Sequence, residues 1–453
     1  MRRTFFQATL LVLVVAVTLP PLVVLCRGRS PSRFSTANLP VWERKAPSPA
    51  RAEGKLRGLP LPPGSVQFER SFVQALRQTD ENRLLAGIES PPQHPTVAAG
   101  SAGAWLESAC ALGRKDSVLA AKQDRVALRL MTAEDADGYL AAGQGQGRWA
   151  ASQVLAESRN LRGLLACYAV THHVAVIYAA MQAGDLIVSA PELAVSVPHS
   201  PFLPSTRAAR KALRAQAASL TLPITRLYLM TGQERYRQWT LGQAKAGRAD
   251  GPGLCALFLA TGQPKFLHQA QEVWKKSAAR GKADPDAASC LLAATGSPGY
   301  AQVLRSRPAP WPCPLAPGSL AYTQTPKGLT VNIWVNTRTV WHGLHWTERA
   351  VKTINGPAQT TLTLSAKKPV TATLLFAIAG ETVTALVNSA RVPVHPGQAM
   401  LAVTRAWHDG DRVSLTAQQP APVLLKKPSQ PGGKAKAGTN APLPGKARPA
   451  AHA

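Results

Sequence analysis

Two cysteines stand where a thiol could do chemistry. Cys290 lies near the start of an apolar helical run, in Asp284-Pro-Asp286-Ala-Ala-Ser-Cys290, and Cys313 is held between Pro312 and Pro314. A thiol is a nucleophile or a metal ligand only as the thiolate, so each would need a metal or a cation beside it. The six cysteines contain no CxxC pair and no zinc-finger spacing. Cys110, Cys167 and Cys255 sit in apolar helical runs and read as small core residues. Asp284, Asp286, Glu107, Asp137 and Glu157 fall at turns or helix ends, where a carboxyl group could take or give a proton. A solvated surface carboxylate is the plainer reading of each, as is a solvent-facing turn for His172 and His173.

Helical hairpins must position these groups. In Leu222–Trp239 an apolar helix stops at Thr231-Gly232 and Tyr236 opens the next helix. Glycine past the last apolar position suits the left-handed conformation that ends a helix, so Gly232 and Gly262 should have positive φ. The device returns at Thr261-Gly262 and Thr295-Gly296, with a worn copy at Thr171-His172, giving spacings of 60, 30 and 34 residues. Such a period predicts stacked hairpins over residues 64–305, closing into a toroid.

Past Pro308–Pro317 the period changes to two, as in Leu329–Val335, Val370–Ile378 and Val383–Val387, with turns at Asn355-Gly356 and Asp409-Gly410. The fold class expected is mostly α with a β domain: helical hairpins, then an antiparallel β-sandwich over 318–424. The short connector and the tryptophans of Trp334–Trp346 predict that the two pack together. Met1-Arg2-Arg3 and the apolar run Phe5–Cys26 read as a signal peptide or signal anchor, so the body is expected to be exported, periplasmic or extracellular, with a membrane contact through residues 1–26. Residues 27–60 read as a flexible spacer, 61–307 as the helical domain and 425–453 as a disordered basic tail. The net charge is +28, yet no basic stripe interleaves with aromatics. Nucleic acid is therefore not the expected partner; an anionic surface met by the tails is.

Several landmarks occur in an order that resembles glycoside hydrolase family 127, the β-L-arabinofuranosidases. They are Gly103-Ala-Trp-Leu-Glu107, Ala136-Asp-Gly-Tyr-Leu140, Asn160-Leu-Arg-Gly-Leu-Leu-Ala-Cys-Tyr168, Gly328-Leu-Thr-Val-Asn-Ile-Trp334, Val387-Asn388, Pro396-Gly397 and Arg405-Ala-Trp-His-Asp-Gly-Asp-Arg-Val413. The resemblance spans residues 64–416 and implies an (α/α)6 barrel with an appended β-sandwich, and a carbohydrate ligand. It also implies a thiolate nucleophile held at zinc by cysteines and a glutamate, with a second glutamate as acid/base. The Glu-Thr-Cys motif of that site is matched by Ala288-Ser289-Cys290, and its Cys-Cys-Pro-Pro loop by a shortened Pro312-Cys313-Pro314-Leu315. Cys290 and Cys313 are therefore the candidate catalytic residues, and the candidate zinc ligands if the family site is retained; two thiols without the carboxylate make a poor site, so no cofactor is expected. Trp105, Tyr139, Trp149 and Glu157 are the candidate sugar-binding residues, with Tyr168 and Trp239 as further platforms. Two functions follow: a working hydrolase with displaced residues, or a catalytically silent carbohydrate-binding or scaffold protein. A basic surface adaptor without a sugar ligand is a third.

Overall fold

The computed structural model of the chain describes residues 46–81, 84, 101–134, 137–140, 149–190, 193, 213, 215–305, 312–352, 358–378, 382–395 and 397–418. Residues 1–26, read above as a signal peptide or signal anchor, residues 27–45 and the expected tail 425–453 lie outside the described residues. Among those described, no helix is long and apolar enough to cross a membrane.

Eleven helices longer than one turn are described: α1 (Arg70–Gln78), α2 (Ser101–Ala111), α3 (Ser117–Thr132), α4 (Ala151–Thr171), α5 (Val174–Ser189), α6 (Thr221–Thr231), α7 (Glu234–Lys245), α8 (Gly251–Thr261), α9 (Pro264–Ala278), α10 (Pro285–Thr295) and α11 (Gly299–Arg305). They form two layers. The helices α2, α4, α6, α8 and α10 pack side by side in chain order. Each is apolar nearly all round: ten of the eleven residues of α8 are buried, and nine of the eleven of α6. A helix apolar on every side must be covered on every side. The returning helices α7 and α9 bury only three and two residues and form the outer layer.

The Thr-Gly turns have one chemistry. Thr231, Thr261 and Thr295 each donate the hydroxyl to the carbonyl four residues back, at 2.7, 2.7 and 2.6 Å, and accept the amide two residues on. The glycine that follows is left-handed, with φ 67, 65 and 65°. In the worn copy, Thr171 makes the same pair of bonds and His172 takes the left-handed position at φ 54°.

The spacer is corrected for residues 46–60, which form a fixed strap. Its amides at Ala50, Gly54 and Gly58 donate to the carbonyls of Leu229, Leu259 and Ala293, at 3.0, 2.9 and 2.9 Å. Each acceptor lies two residues before a turn threonine, among the last helical carbonyls that lack a partner in their own helix. Four extended residues reach about 13 Å, enough to step between helices packed about 8–10 Å apart. A Cβ on Gly54 would meet the Phe258 oxygen at 2.3 Å, so only glycine lets the strap lie this close.

The strap then enters the β domain, whose lower boundary is corrected too. Its strands β1 (Leu59–Pro60) and β2 (Val66–Phe68) join β3 (Tyr322–Thr325), β4 (Gly328–Val331), β5 (Thr337–Trp341), β6 (Leu344–Lys352), β7 (Ala358–Ser365), β8 (Val370–Ala377), β9 (Thr382–Val387), β10 (Ala390–Val392), β11 (Met400–Trp407) and β12 (Arg412–Gln418). One sheet runs β1-β3-β4-β8-β11 and the other β10-β9-β12-β7-β6-β5-β2. Pairing is antiparallel except β4 with β8, which is parallel, a departure from the wholly antiparallel expectation. Tyr322 of the first sheet hydrogen-bonds Thr337 and Glu348 of the second. The buried faces of both sheets share one apolar core with α8 and α10, through Leu257, Leu291, Phe376, Trp346 and Leu362.

Candidate functional site

The charged residues of the inner helices do not scatter; Glu107, Arg162, Arg226 and Asp286 converge. Glu107 of α2 is buried and pairs with Arg162 of α4 at 2.8 Å and with Arg226 of α6 at 3.5 Å. The other arm of Arg162 reaches Asp286 of α10 at 2.7 Å. One ion network thus ties four inner helices. Burial opposes the charge on Arg162, but the Asp286 and Glu107 carboxylates outweigh it and hold the guanidinium proton more tightly than usual. For Arg226 burial prevails over Glu107, and its proton is held less tightly than usual.

Cys313 opens onto this network. It lines a small cleft with Glu107, Cys110, Arg226, Pro312 and Ala316. Its loop is pinned by the Cys313 amide donating to the Gly318 carbonyl at 2.9 Å. Burial pushes the thiol up to about 11, only partly opposed by the amides of Leu315 and Ala316. Cys290 is fully buried on α10, and burial, then Cys255 and Cys313, push its thiol up as well. Both cysteines therefore keep their protons at neutral pH. The cleft offers about 20 Å³, room for little more than one water. A sugar ring needs a pocket of a few hundred Å³.

Zinc does not fit these residues. The third ligand position of the resemblance is Ala288, which has no donor atom. Glu107, the carboxylate that faces Cys313, is already engaged by two guanidinium groups. A dication placed beside it would face Arg162 and Arg226 across a cleft of low dielectric. Among the described residues, no three His, Cys, Asp or Glu side chains come together as a metal would require.

The acids Asp284 and Asp286 are brought to one place, at the start of α10. Asp284 caps that helix through the Asp286 amide, and Asp250 caps α8 through the Gly253 amide. Burial, with Asp284 and Asp286 adding to it, raises Asp250 to about 7. Burial likewise raises Asp284. The sequence reading missed Asp250, Arg162 and Arg226; the available signal for Arg226 was a lone arginine inside an otherwise apolar helix.

The expected sugar platforms are elsewhere and are packed. Trp105 is buried, donates from Nε1 to the Leu76 carbonyl at 3.3 Å, and lies under the Lys122 ammonium. Tyr139 is buried edge-to-face against half-buried Trp149. Glu157 is fully buried and accepts the Leu140 amide at 2.9 Å, while Asn160 donates to the Leu140 carbonyl. These residues hold the loop at Leu140. They offer no open face, because filling the core with an aromatic ring is worth more than exposing it. Tyr168 and Trp239 are half-buried, and His172 is exposed as expected. A larger groove, about 830 Å³, runs between β2, α1 and the start of α3, lined by Gln67, Phe68, Gln74, Arg77, Gln78, Lys115 and Asp116.

No family model and no curated protein matches the chain. Solved structures do. A GH127 β-arabinofuranosidase superposes with a TM-score of 0.54 at 13% identity, covering 81% of each chain. A GH127 β-L-arabinofuranosidase from Geobacillus stearothermophilus T6 gives 0.50 at 15% identity, over 78% of this chain and 81% of that one. A structure titled glycoside hydrolase gives 0.51 at 15%, over 82% and 81%. The fold is the one these glycoside hydrolases share.

Proposed function

We propose that this chain is a divergent GH127-like protein of carbohydrate metabolism whose catalytic centre has become a structural ion network, leaving it a glycan-binding protein. We read its hairpins as an (α/α)6 barrel, its sheets as the appended β-sandwich, and its apolar start as the export segment that places it at the cell envelope. The observation that carries the reading is the Glu107–Arg162–Asp286 network with Arg226. It occupies the ground where a thiolate and a metal would have to stand, and it leaves Cys313 a protonated thiol beside room for one water.

A glycan then needs another seat, and the 830 Å³ groove supplies it. Half-buried Phe68 offers apolar surface, while Gln67, Gln74 and Gln78 offer paired donors and acceptors of the kind that hydroxyl groups use. Calorimetric titration of the purified chain with arabinofuranosyl oligosaccharides tests this. Binding weakened tenfold or more in Phe68→Ala is the expected result. Binding that ignores that substitution would move the site elsewhere.

One observation favours a second reading, a hydrolase with relocated acids. Asp250 is raised while Asp286 is paired with a cation, the divergence of neighbouring carboxyl groups expected of an acid and a base. Under that reading turnover would survive Cys313→Ser and vanish in Asp286→Asn.

A further inference from the structure

The crossing of α2 and α4 is closer than ordinary helix packing. A Cβ on Gly103 would lie 2.2 Å from the Arg159 oxygen and 2.5 Å from the Asn160 Cα, and one on Gly163 would lie 2.6 Å from the Gly103 oxygen. The two backbones therefore touch, inside the roughly 8–10 Å spacing of most helix pairs. The helices run in parallel. An offset of 57 residues sets Gly103 beside Asn160, and the same offset sets Cys110 beside Cys167. Both cysteines are buried in one apolar cluster, both are free thiols, and each perturbs the other's proton affinity as a near neighbour does. Cys255, Cys290 and Cys313 also lie near one another, but none of them sits on this crossing. A disulfide needs Cα atoms closer than about 7 Å, a separation that a crossing this tight allows.

We propose that Cys110 and Cys167 form a disulfide that staples α2 to α4 when the chain folds in an oxidising compartment, the setting its N-terminal segment predicts. Each thiol releases its proton, the two sulfurs together give up two electrons, and the S–S bond forms. The electrons go to a disulfide-class oxidant, such as a disulfide-bearing carrier protein or oxidised glutathione, which leaves as two thiols. One thiolate attacks the oxidant, and the other then displaces it from the mixed disulfide. Because both sulfurs are closed off in the folded chain, the bond forms as the helices dock and not afterwards. The inference is independent of whether the chain binds or cleaves glycans.

The test is refolding of the full chain from the reduced, denatured state in a glutathione redox buffer. Folding is scored by circular dichroism, and free thiols are then labelled with iodoacetamide in denaturant. Four of the six cysteines should take the label, and Cys110 and Cys167 should appear as a linked peptide pair that dithiothreitol separates. In Cys110→Ala all five remaining cysteines should label; Cys167→Ser serves the same purpose should that variant fold poorly. A folded wild type with six labelled thiols, or a linkage to a different cysteine, would overturn the proposal.

Discussion

Arg226 and Arg162 decide what the centre of this molecule can do, and neither was conspicuous in the sequence. Arg226 is the one charge of an apolar helix and Arg162 one of three charges in α4, and periodicity treats such charges as interruptions of the stripe. Their meaning appears only when Glu107, 55 residues before Arg162, arrives between them. The cysteines were legible because a thiol between prolines, or near a helix start, is a chemical singularity wherever it lies. The aromatics were not: residue type does not say whether a ring is stacked in a core or facing a cleft, and Trp105 and Tyr139 are in cores. Two predictions belong at this scale. Glu107→Ala leaves two buried guanidinium groups without their shared partner, so it should cost about 3–5 kcal/mol in urea unfolding, far more than the loss of an exposed pair such as Glu272–Lys275. Asp250 is raised from its ordinary value to about 7 in the folded chain, so between about pH 4 and 7 the native state holds a proton that the unfolded state has lost. Its contribution is full at acid pH and fades as pH rises through 7. Asp250→Asn keeps the cap on α8 and should flatten that part of the stability–pH curve, measured by urea midpoints; a curve of unchanged slope would show that Asp250 titrates normally.

At the scale of elements, what was legible was local chemistry. A threonine that bonds back four residues and forward two, followed by a residue able to turn left-handed, writes the same helix end four times. The β11–β12 turn, at Asp409-Gly410, was legible for a similar reason. Asn388 and Asp411 bond each other at 2.6 Å, and Asp411 also accepts the His408 amide, so these motif residues are turn-makers. The strap was illegible. Pro, Gly and Arg in residues 46–60 read as a spacer because every bond it makes is to a carbonyl more than 150 residues away. Gly54→Ala tests its part in the fold: with the Phe258 oxygen 2.3 Å from the new Cβ, the strap must lift. A loss of about 1–3 kcal/mol is expected, with proteolysis appearing first between residues 46 and 60. An unchanged cleavage pattern would mean that the strap contributes little.

The whole molecule was read from the order of weak motifs over most of its length. Each alone specifies a turn or a strand opening, and together they specify a topology. What the order could not supply was the joint between the domains, because β1 at the end of the strap and β2 just after it join one sheet each. With α8, α10 and both sheets sharing one core, heat should unfold the chain in a single calorimetric transition. Two resolved transitions would show that the shared core does not couple the domains.

The claim that the centre is silent is met most directly by turnover of an aryl β-L-arabinofuranoside, with zinc supplied in the assay, by wild type and Cys313→Ser side by side. A thiolate nucleophile is a single point of failure in a working enzyme. The ion network around Glu107 and the protonated Cys313 thiol predict no turnover above buffer in either protein. Turnover by the wild type that is lost in Cys313→Ser would contradict the account outright.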